Sequence, residues 1–229
     1  MIVRYFTRTK YEWSLVWQQT DLRNLMLINI LLFAVVSFLH IAFLQWSENR
    51  NGYLLHDWLH RLLPPADFSL PIFILMWGAL LGSLFFVIPH PFLLFTGLLS
   101  FTLMFIFRSA CIFFVPLEAP QDLILLSDPI AGFFLHQDNL VVKNDLFFSG
   151  HTASLCILFI LLRHTPLRLF LLACACVVPL LIVWQRVHYS IDVLCAPPAA
   201  WVCVYVAKEI STPLFFRQKN DYNRLFSLE

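Results

Sequence analysis

The feature that most constrains this chain is a series of long apolar stretches set apart by short polar breaks. A bilayer's hydrocarbon core takes roughly 20 apolar residues in helical form, and backbone inside lipid must satisfy its own hydrogen bonds. Stretches from Leu25 to Leu44, Leu70 to Ile88, Pro91 to Phe107, His151 to Leu162, Leu167 to Trp184 and His188 to Ala207 therefore predict an all-α fold, an integral membrane bundle of six transmembrane helices. The fourth is short, so it is expected to begin before His151 or to sit partly among the headgroups. Only Pro89 and His90 separate the second from the third, which demands a tight hairpin. Composition agrees: 60% of the 229 residues are hydrophobic, 13% are charged and mean hydropathy is +0.77, outside the range of a soluble globular domain.

A net charge of +1 with no dense basic run argues against a nucleic-acid partner. Cys111, Cys156, Cys174, Cys176, Cys195 and Cys203 lie mostly within apolar stretches and form no C-x-x-C pair. They read as packing residues, with no metal or other cofactor implied. No internal repeat or Gly/Ser linker divides the sequence. The expected organisation is an interfacial N-terminal segment over 1–24, a six-span catalytic membrane domain over 25–207, and a C-terminal tail over 208–229. The opening mixes Tyr5, Phe6, Trp13 and Trp17 with Arg4, Arg8 and Lys10, which suits a helix in the membrane interface and equally a loose tail. It does not read as a cleaved signal.

Basic residues in cytoplasmic loops orient membrane bundles. With the N-terminus inside, the inner segments hold Arg4, Arg8, Lys10, Arg23, Arg163, Arg168, Lys208, Arg217, Lys219 and Arg224. The outer ones hold Arg50, Arg61, Arg108, Lys143 and Arg186. Ten against five, of 15 in all, predicts both termini in the cytoplasm. Glu48, Asp57, Asp67, Glu118, Asp122, Asp128, Asp138 and Asp145 then fall on the outer side.

Two polar clusters stand at the outer mouths of spans four and six: Asp145 to Thr152, and Arg186 to Asp192. Span five returns the chain between them, so His151 and His188 can face one pocket. His188 and Asp192 are four apart, so a helix would put them on one face, where the carboxylate fixes one imidazole nitrogen and frees the other. Ser149 and Gly150 sit where a helix begins, and unpaired amides there attract phosphate. His151 is placed to protonate a leaving oxygen. Arg108, Arg186 or Lys143 can neutralise phosphoryl charge. Each residue alone also has a structural reading: Ser149 and Thr152 as caps, Arg108 as an arginine snorkelling to the headgroups. The combination is what points to catalysis by His151, His188 and Asp192.

Other histidines carry less. His56 and His60 flank Asp57 at a spacing superficially like a zinc helix, but Trp58, Pro64 and Pro65 suit an interfacial turn, and no third ligand is specified. His40 is expected to pair with a neighbouring helix. His90 and His164 fall at the inner end. His136 lies in the loop before Asp145.

At these residues the sequence resembles the sphingomyelin synthase branch of the type 2 phosphatidic acid phosphatase superfamily. Asp145-x-x-x-Ser149-Gly150-His151-Thr152 resembles that branch's third motif, and His188-Tyr189-Ser190-Ile191-Asp192-Val193 its fourth. Arg108 followed by Val115-Pro116-Leu117 resembles the second, more faintly. Asp57 and Leu63-Pro64-Pro65-Ala66-Asp67 resemble the first, fainter still. The resemblance implies an enzyme that cleaves a phospholipid on its diacylglycerol side and passes the phospho-headgroup to ceramide or a similar lipid alcohol. His188 would attack phosphorus, Asp192 would orient it, and His151 would protonate the departing alcohol. Arg108, Asp145, Ser149, Gly150, Arg186 and Tyr189 are the implied substrate-binding set. The sequence departs from the animal enzymes in having no sterile-alpha-motif segment, a different outer loop, and Pro197-Pro198 within span six.

Two rival readings stay open: a phospholipase C-type or lipid phosphate hydrolase using the same residues on water, and a non-catalytic lipid transporter or scaffold of the same fold. Against a plain phosphatase, the usual Lys-x6-Arg-Pro and upstream Ser-Arg motifs are missing; Ile182 stands where that arginine would fall.

Overall fold

The computed structural model describes residues 2–126 and 145–216. Asp128, His136, Asp138, Lys143, Arg217, Lys219 and Arg224, named above, lie outside the described residues. Those described are helical apart from loops and a single bridge between Tyr53 and Leu117.

Helix α1 (Ile2–Gln18) meets α2 (Thr20–Ser47) at Gln19, whose extended backbone breaks the run. The segment is helical and packs on the bundle. Val16 is buried, the Trp13 indole N–H donates to the Ile88 carbonyl at 3.1 Å, and Glu12 pairs with His90 at 3.0 Å. Two of the polar side chains that α2 buries have interhelical partners: Asn29 donates to the Phe95 carbonyl at 2.9 Å, and His40 meets Ser109 at 2.8 Å. Its outward side chains, Leu27, Leu31, Phe38 and Leu39 among them, are exposed, as lipid contact requires.

A short turn carries α3 (Trp58–Leu62) ahead of α4 (Ser69–Val87). Ile88, Pro89 and His90 make the tight hairpin into α5 (Pro91–Phe114), whose first residue needs no N–H partner. Then follow α6 (Gly150–Leu161), α7 (Arg168–Trp184) and α8 (Ser190–Phe215). The sixth expected span thus starts two residues later than its sequence limit and runs on past Ala207. Pro197, Pro198 and Pro213 do not end it; membrane helices tolerate proline where neighbours cover the freed carbonyls.

The core forms around α6, which packs on α5, α7 and α8. Leu155 and Ile157 share one buried core with Ala196, Ala199, Ala200 and Cys203 of α8; such small residues let two backbones approach closely. Among the described helices α2, α4, α5 and α8 are long and apolar enough to cross a membrane. The fourth and fifth expected spans are shorter, at 12 residues for α6 and 17 for α7. At 1.5 Å per residue α6 covers about 18 Å. Its burial explains the shortness: protein rather than lipid surrounds most of its turns.

Candidate active site

The starts of α6 and α8 lie side by side at one end of the bundle. The Ser149 amide donates to the Asp192 carbonyl at 3.1 Å, joining the two polar clusters main chain to main chain. Ser149 is the N-cap of α6, its hydroxyl accepting from the Thr152 amide at 3.4 Å and the Thr152 hydroxyl at 3.1 Å. That geometry brings the His151 and His188 rings to 6.3 Å between centroids, edge to face. His188 is buried and Asp192 fully so.

His188 does not lie on the helix, as its spacing from Asp192 suggests; it precedes α8, with Tyr189 as N-cap. The pair meets through the cap itself. Asp192, in the first turn, folds its carboxylate back to accept the Tyr189 amide at 2.9 Å, and the same oxygen reaches His188 Nδ1 at 3.3 Å. A capping carboxylate thereby fixes the ring and leaves Nε2 as the nitrogen available for chemistry.

Arg108 enters from α5, buried. Its Nε donates to the Phe148 carbonyl at 2.7 Å, one terminal nitrogen donates to the Asp145 carbonyl at 3.2 Å and pairs with the Asp145 carboxylate at 2.6 Å, and the other lies 3.4 Å from His40. Burial pushes the Asp145 carboxyl up, but the Arg108 charge opposes it and the net shift is downward. The guanidinium lies against Gly150: a Cβ there would sit 3.0 Å from its central carbon. Glycine at 150 suits that close approach, with no unusual backbone angle involved.

The segment from His56 to His60 closes on the second cluster. Asp57 caps α3 by accepting the Leu59 amide at 2.9 Å, and it also accepts the Ser190 amide and hydroxyl. Burial raises its carboxyl, the Ser190 and Leu59 donors lower it, and the donors prevail. His60 Nε2 meets the His188 carbonyl at 3.2 Å, and burial holds the imidazole below its usual range. No cluster able to hold a metal ion occurs among the described residues.

Arg186, with φ of 63°, is a brace between loops, donating to the His60 carbonyl at 2.8 Å and to Gln121 and Asp122 at 3.1 Å. Tyr189 is buried, its hydroxyl donating to the Glu118 carbonyl at 2.9 Å and accepting from the Leu55 amide at 3.3 Å. The structure also adds Gln185, absent from the sequence reading. Fully buried, it accepts from the Phe68 amide at 2.8 Å and donates to Ser69 at 2.9 Å and Ile124 at 3.3 Å. His90 and His164 line a separate cavity at the other end of the bundle.

Residues 144–209 match the family model described as PAP2 superfamily C-terminal. The match takes in both polar clusters and the helices between them. It supports the type 2 phosphatase superfamily and a phosphatase-like, lipid-modifying chemistry, without distinguishing branches within that superfamily. No curated protein matches the chain.

Proposed function

We propose that this protein is a membrane lipid phosphotransferase that moves a phospho-headgroup from a glycerophospholipid to ceramide or a similar lipid alcohol, with His151, His188 and Asp192 as its catalytic set. The observation that carries the reading is the facing pair of imidazoles, 6.3 Å between centroids, one of them held by a buried carboxylate. One phosphoryl group can bridge such a pair.

In this mechanism His188 Nε2 attacks phosphorus, forming a P–N bond while the P–O bond to the diacylglycerol breaks, and the alkoxide takes a proton from His151. The acceptor hydroxyl then gives its proton to His151 and attacks phosphorus, and the P–N bond breaks. Asp192 keeps Nδ1 protonated and stabilises the charge the ring acquires. The amides at the start of α6, backed by the Arg108 guanidinium, receive the phosphoryl oxygens. Arg108 and Asp145 act by shaping that turn, and Tyr189 and Arg186 by holding the loop that carries His188.

In the same reading the chain makes six passes, α6 and α7 included, with both termini cytoplasmic and the site on the extracytoplasmic face. The charge distribution supports this orientation, and the enclosure of α6 supports a short span whose ends rest in protein. The branch-specific Asp145 and His188-Tyr189 patterns favour transfer over hydrolysis.

The test is purified protein in liposomes given headgroup-labelled phosphatidylcholine, phosphatidylethanolamine or phosphatidylinositol, with and without ceramide. A labelled sphingolipid supports transfer. Release of headgroup phosphate independent of ceramide assigns the site to a hydrolase, and no turnover of any donor sinks both readings.

A further inference from the structure

A cavity of about 380 Å³ opens beside the second cluster, lined in part by His56, Asp57, His60, Arg61, Arg186 and Tyr189. It adjoins the catalytic segment: Tyr189 follows His188 in the chain, and His60 lines the cavity while bonding the His188 carbonyl. Its size falls within the range of small-molecule sites.

The chemistry of its wall is one-sided. Asp57 is the cavity's carboxylate, and both its oxygens already accept from Ser190 and Leu59. The Tyr189 hydroxyl is engaged with Glu118 and Leu55, and the terminal nitrogens of Arg186 with three acceptors, while its buried Nε has no partner among the described residues. Arg61 and His56 remain, both exposed and neither with a hydrogen-bond partner among the described residues. The cavity therefore offers uncommitted donors and cationic charge. It offers neither a free carboxylate nor an aromatic cage, the two devices that select a quaternary ammonium.

We propose that this cavity binds an anionic substituent, carboxylate or phosphate, carried by the headgroup beyond the reacting phosphorus, with Arg61 as its principal ligand. The inference rests on the reading of His151 and His188 as the phosphate-binding pair. It makes a zwitterionic choline headgroup the poorer fit.

O-phosphoserine and phosphoethanolamine differ by a single carboxylate, and calorimetric titration of each into the full chain in detergent micelles isolates its effect. Phosphoserine is expected to bind about tenfold more tightly, with Arg61→Gln bringing that ratio to about one and His151→Ala weakening both compounds alike. Equal affinities in the wild-type protein, or a preference that survives Arg61→Gln, overturn the inference and leave the phosphate site standing. Binding of neither compound, or of both without regard to His151, overturns the site reading and the inference together.

Discussion

The amide of Ser149 donates to the carbonyl of Asp192 at 3.1 Å, so the N-cap of α6 and the first turn of α8 share a main-chain hydrogen bond across 43 residues of sequence. The two histidines are thereby set by backbone, not by flexible side-chain reach. Disturbing either helix start should disturb both rings.

Gly150→Ala tests that coupling. The new methyl meets a guanidinium pinned by Phe148 and Asp145, so either the arginine or the helix start must move. The expected result is a loss of about 2 kcal/mol in stability and a larger proportional loss in turnover, read by thermal unfolding in detergent beside the lipid assay.

Arg108→Gln leaves the Asp145 carboxylate, three-quarters buried, without its counter-charge. A loss of about 3 kcal/mol is expected, and Arg108→Lys should recover little, since a point charge cannot bond Phe148 and Asp145 together. Adding Asp145→Asn to Arg108→Gln should restore part of the loss. Unfolding midpoints of the three variants check the order.

How much of this was legible beforehand depends on whether an interaction is local in sequence. The apolar runs and the two polar clusters read directly, because each is a contiguous signal. The His188–Asp192 pairing was legible as a spacing but for a different reason than the true one, since a capping carboxylate and a helical face both span about four residues. The shortness of α6 was legible, since His151 to Leu162 and the observed Gly150–Leu161 are both 12 residues; its cause, burial by protein rather than lipid, was not. Gln185, which joins α4, α7 and the loop at Ile124, gives no sequence signal at all; a glutamine at a helix end looks solvated until its partners fold around it. The sequence around Asp57 suits an interfacial turn but gives no sign that the carboxylate accepts from Ser190, 133 residues away.

Asp57→Ala should therefore act through position. Freed Ser190 donors cost about 1–2 kcal/mol, and His188 loses the loop that braces it, so kcat falls with little change in KM. The acid side checks the cause. The folded carboxyl lies below its unfolded value of about 3.9, so its contribution is full above that value and fades as pH falls through the lowered folded one. Asp145, also lowered, contributes to the same acid limb, so Asp57→Ala should make the limb shallower than in the wild-type protein without abolishing it.

Asp192→Asn keeps a capping oxygen for the Tyr189 amide but removes the charge beside His188 Nδ1. The bundle should stay folded by circular dichroism, with turnover falling about 10²–10⁴-fold. A folded variant at full rate would remove Asp192 from the mechanism.

The most direct test of the central claim is the turnover of His151→Ala, His188→Ala and the double variant, each verified as folded, on the best lipid donor. If both rings act on one phosphorus as a unit, each single change should cost about 10³-fold or more and the double change no more than the worse single one. Independent effects that multiply, or a single variant that keeps the wild-type rate, would contradict the account.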